Sequence, residues 1–66
     1  MSASSDLALL SSLGAQLEDI GNRITEMAER FGATPDSSLA AELYGAERGV
    51  LGARRSLERA RAYLNG

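Results

Sequence analysis

With 66 residues the chain has room for one small domain, and much of its surface must stay exposed even when folded. Seven Arg against nine Asp plus Glu give a net charge of −2 at pH 7, which argues against a polycation that grips nucleic acid or anionic lipid through overall charge. There is no Cys, no His and no Lys, which excludes disulfide staples and removes thiolate ligands, the usual general base, the imidazole ligand and the Schiff-base amine; the expectation is a non-enzymatic protein with no metal and no cofactor.

At the N-terminus, no basic residue precedes the longest apolar run, Leu7-Ala8-Leu9-Leu10. That run is too short for a signal-peptide core and far below the roughly 20 residues of a membrane span, so the chain is expected to be cytoplasmic and not membrane-bound. The first helix is expected over about 5–31, with Ser4 or Ser5 as cap and Asp6 in the first turn. Within it Leu10, Leu13, Leu17, Ile20, Ile24, Met27 and Phe31 alternate at spacings of three and four, a heptad seam.

Gly32 suits the left-handed residue that closes a helix, and Thr34-Pro35-Asp36 reads as N-cap, first helical residue and an acid at the positive helix end. A turn over 32–34 is so short that the second helix, about 35–64, must fold back antiparallel on the first. Its seam is Leu39, Leu43, Ala46, Val50, Ala53, Leu57, Ala60 and Leu64. No stretch alternates with period two, so no strand is expected. The fold class is all-α, an antiparallel two-helix hairpin of coiled-coil type forming one domain over 1–66, and it is expected to dimerise into a four-helix bundle.

If Phe31 faces Leu39, residues facing across the hairpin have numbers adding to 70. Ile24 then meets Ala46, Leu17 meets Ala53 and Leu10 meets Ala60, large against small. Arg30 falls near Glu42, Gln16 near Ser56 and Leu9 near Tyr63 at the flanks.

Gly14, Gly21, Gly45, Gly49 and Gly52 lie inside the helices and together cost about 5 kcal/mol relative to Ala. Gly14, Gly21 and Ala28 read as a smooth strip beside the first seam, and Gly45, Gly49, Gly52 and Ser56 as a second strip on the other helix, each able to receive a helix of a second copy. The alternative is that some of them face solvent. Tyr44 and Leu51, seven apart, lie away from the expected core. The candidate interface is therefore Gly14, Gly21, Tyr44, Gly45, Gly49, Leu51 and Gly52.

Residues 48–66 hold five Arg and one acid, a net charge of +4, while residues 1–35 hold two Arg and five acids, a net charge of −3. Arg48, Arg54, Arg55, Arg59 and Arg61 could hold a phosphate-bearing ligand (nucleotide, RNA or DNA) or an acidic protein surface through their forked donors. They do not fall on one helical stripe, and a solvated helix end with pairs such as Arg54 to Glu58 is the plainer account of them. In architecture the layout resembles the RNA-binding hairpin dimers of the Rop type and the secreted WXG-type hairpins. The resemblance is one of architecture only, and the chain matches neither residue by residue. Leu43-Tyr44-Gly45 falls inside a helix, not at the turn where the WXG motif sits, so that family's function is not carried over. The expected function is a self-associating protein–protein interaction or regulatory module, with phosphate binding as the alternative.

Overall fold

The computed structural model describes residues 3–32 and 37–65. They form two helices, α1 (Ala3–Gly32) and α2 (Ser37–Asn65), which pack against each other along their length. Paired residues rise in number along α1 as they fall along α2, so the two run antiparallel: Glu18 meets Arg54, Gly21 meets Val50 and Thr25 meets Glu47. The hairpin is a rod of 51 × 15 × 13 Å with a radius of gyration of 15.2 Å. A compact domain of this length would have about 11 Å.

Local chemistry favours both helices, and it corrects several expected details. Asp6 lies in the first turn of α1 and Arg30 in its last, each at the helix end whose partial charge it complements. Because α1 begins at Ala3, Ser4 and Ser5 sit within its first turn and do not cap it. Gly32 ends α1 in helical conformation, and among the described residues no glycine has positive φ. The expected cap Thr34-Pro35-Asp36 and the turn lie outside the described residues. No basic residue occupies the last turn of α2.

The line of contact is rotated from the one that hydrophobicity suggests. On α1 the more sheltered residues include Leu7, Leu10, Gly14, Leu17, Gly21, Ile24, Ala28 and Phe31, again at alternating spacings of three and four, with Asp6 and Thr25 beside that line. Leu13, Ile20 and Met27 stand outside, exposed at 37, 43 and 39%. On α2, Leu43, Val50 and Leu57 stay in the line, but Ala40, Glu47 and Arg54 join them, and Ala46 and Ala53 are exposed. Facing residues accordingly have numbers adding to 71 or 72, not 70.

The cause lies in a row shared by two candidate seams. Leu10, Leu17, Ile24 and Phe31 belong to both, and the second row is either Leu13-Ile20-Met27 or Gly14-Gly21-Ala28. A single partner helix comes closer over the small row: a Cβ built on Gly21 would lie 3.4 Å from Val50 Cγ1. Close approach improves packing of the large side chains around it. The resulting core is slight. Among the described residues only Ala28 (0%) and Ala40 (6%) are buried, and no large side chain is fully enclosed.

Candidate functional site

Rotation of the seam gives the hairpin two unlike faces. On one flank the helices are joined by polar groups. The Thr25 hydroxyl donates to the Glu47 carboxylate and lies 3.0 Å from the Gly21 carbonyl oxygen. Two turns away Arg54 meets Glu18 at 3.6 Å, bridging the helices. The expected pairing of Arg54 with Glu58 on its own helix is thus replaced by a pairing across the hairpin.

The other flank is apolar. At 100° per residue, Leu13, Ile20 and Met27 lie on the opposite side of the α1 seam from Glu18 and Thr25, and Ala46, Ala53 and Ala60 on the opposite side of the α2 seam from Glu47 and Arg54. Since the helices are antiparallel, the two rows meet on one surface. Near the open end Leu9, Leu10, Leu13, Ala60, Tyr63 and Leu64, with Asp6 at the border, line a shared open groove of about 470 Å³, and toward the loop Ile20, Ile24 and Met27, with Arg23, line another. Tyr63 is 87% exposed. Six apolar positions on two heptad rows, all beside one another, differ from scattered surface leucines, which are ordinary.

The surface area reflects the same deficit. The hairpin exposes 4779 Å² at 7.0 kDa. Compact monomers of that mass expose about 4000 Å², so roughly 700 Å² is in excess.

The residues singled out from sequence are distributed among several surfaces. Gly14 and Gly21 lie on the contact line with α2 and not on a separate strip. Gly14 borders a polar groove with Arg54 and Arg61; Gly21 and Leu51 border the next one with Arg54. Tyr44, seven residues from Leu51, shares that polar flank. Gly45 sits beside Arg48, whose Nη2 lies 3.7 Å from a Cβ built there, while Gly49 and Gly52 have open space around them. Only Gly49 adjoins the alanine row. The rows Leu13-Ile20-Met27 and Ala46-Ala53-Ala60 were expected inside the hairpin; all of them but the half-buried Ala60 are exposed, and the sequence signal for this is the rival small row one residue along.

The arginines are likewise dispersed. Arg54 is engaged by Glu18, Arg59 donates to Ser56 Oγ at 3.0 Å, and Arg61 shares its groove with Glu58. Arg48 and Arg55 are exposed on the far side of α2. Among the described residues no three carboxylates gather as a metal cradle, and no helix is long and apolar enough to cross a membrane. No family model, curated protein or solved structure matches the chain.

Proposed function

We propose that this chain is a non-enzymatic interaction or regulatory module that works by pairing: two hairpins close their apolar faces on each other as a four-helix bundle. The observation that carries this is the exposed row Leu13-Ile20-Met27 beside Ala46-Ala53-Ala60. Helix bundles bury their cores on two sides of each helix, and here each helix has one side occupied and a second apolar side open. The excess of roughly 700 Å² per chain is close to the ~800 Å² each partner contributes to a standard interface.

Sedimentation equilibrium tests it. The expected result at about 100 μM is a mass of twice the 7.0 kDa chain, falling to one chain for Ile20→Glu, which sets a carboxylate in the centre of the face. A wild-type protein that stays monomeric at that concentration overturns the proposal.

A further inference from the structure

We infer that the second copy lies parallel to the first, with both loops at the same end, so that α1 of each hairpin packs against α2 of the other. This rests on the pairing proposed above and specifies its geometry. Closing two identical faces requires a two-fold axis in the plane between them. That axis either runs along the rods, placing α1 against α2 of the second copy, or crosses them, placing α1 against α1 and α2 against α2.

Charge separates the two arrangements. Helix α1 carries two Arg and five acids, net −3; α2 carries five Arg and three acids, net +2. With the axis along the rods every negative helix has two positive neighbours, and signs alternate around the bundle. With the axis across them, like-charged helices lie side by side on two of four edges, which costs energy over their whole length.

Side chains at the edges agree. An axis along the rods preserves height, so residues level within one hairpin are also level between copies. Arg30 then stands opposite Glu42 of the second copy, Gln16 opposite its Ser56 and Leu9 opposite its Tyr63. Between these edges and the centre, Leu13, Ile20 and Met27 meet Ala60, Ala53 and Ala46, large against small as within the hairpin, which keeps all four sides of the bundle equally spaced. With the crossing axis centred on Ile20, Arg30 falls against Leu9 and the large row meets itself.

The absence of cysteine from the chain makes introduced thiols unambiguous reporters. Gln16→Cys and Ser56→Cys chains are mixed, refolded together and oxidised, and a mixture of Gln16→Cys with Arg23→Cys is treated alike. Residues 16 and 56 of one hairpin lie on outward flanks, so a bond between them joins two copies, and disulfides form only where Cα atoms come within about 7 Å. The inference expects the 16–56 mixture to give at least ten times more cross-linked dimer than the 16–23 mixture. Preferential 16–23 cross-linking, or no cross-link from either mixture while the protein sediments as a dimer, overturns the arrangement and leaves pairing intact. A monomer in the centrifuge overturns both, and the apolar face then belongs to a different partner.

Discussion

Thr25 on α1 hydrogen-bonds the carboxylate of Glu47 on α2, and this bond marks the register of the whole hairpin. The residues on either side obey it: Val50 comes up against Gly21 one turn toward the open end, and Arg54 reaches Glu18 one turn further. Two polar residues of α2, Glu47 and Arg54, thereby stand on a contact line where leucine would be expected, and their heads emerge on one flank. The other flank is left to apolar side chains with nothing above them.

Thr25→Val removes that bond without changing side-chain shape. The expected cost is about 1 kcal/mol, a fall of roughly 4–8 °C in the thermal midpoint for a chain of this size. Thr25→Ser, which keeps the hydroxyl, should recover most of that loss. Thermal melts followed by circular dichroism at one fixed concentration check it; a Val variant that melts with the wild type would remove the bond's part in fixing register.

The glycines differ in whether they stand in the open or face the partner helix. Gly52 lies on the solvent side of α2 with nothing within 4 Å, and Gly14 has the same freedom beside the polar groove. Alanine at either should stabilise by about 1 kcal/mol through helix propensity alone. Leucine at Gly21 would instead run into Val50, forcing the helices apart at a cost of about 1–3 kcal/mol. Denaturant titrations of the three variants should show two gains and one loss; a stable Gly21→Leu protein would mean that close approach there is dispensable.

Both helices and their antiparallel packing were legible from the heptad spacing and the break around Gly32 and Pro35. The orientation of α1 was not, because Leu10, Leu17, Ile24 and Phe31 serve two seams and hydrophobicity alone prefers Leu13, Ile20 and Met27 as the second row. Packing one partner helix rewards close approach instead, which selects Gly14, Gly21 and Ala28. The preference for the large row retains a meaning if hairpins pair, since that row then faces the bundle centre. Arg54 finding Glu18 rather than Glu58 was out of reach for a simpler reason: it depends on the register to within one or two residues, and the loop alone does not fix it that closely.

Arg54→Ala combined with Arg55→Ala distinguishes apolar pairing from an arginine site for phosphate. The Arg54–Glu18 pair is 3.6 Å long with side chains 38 and 58% exposed, so its loss should cost well under about 1 kcal/mol. Dimerisation should persist in this variant and change little between 50 mM and 1 M salt, because apolar burial is not screened. Steep weakening with salt, together with a phosphate-bearing ligand that binds wild type and not the variant, would shift the function to the arginines.

Stability should depend on protein concentration. Among the described residues only Ala28 is fully buried, so the hairpin has little core of its own; under the proposed pairing the second copy supplies part of the folding free energy, and mass action then links the melting point to the amount of protein. At about 0.7 kcal/mol of unfolding enthalpy per residue, a dimer of this chain would gain roughly 5 °C for each tenfold rise in concentration. Ile20→Glu should melt lower and at one temperature throughout, since it has no partner to lose. Melts from about 5 to 500 μM check both proteins side by side. A wild-type midpoint that stays fixed across that range would mean that the lone hairpin holds itself together, and the exposed row Leu13-Ile20-Met27 would contribute nothing to its folding.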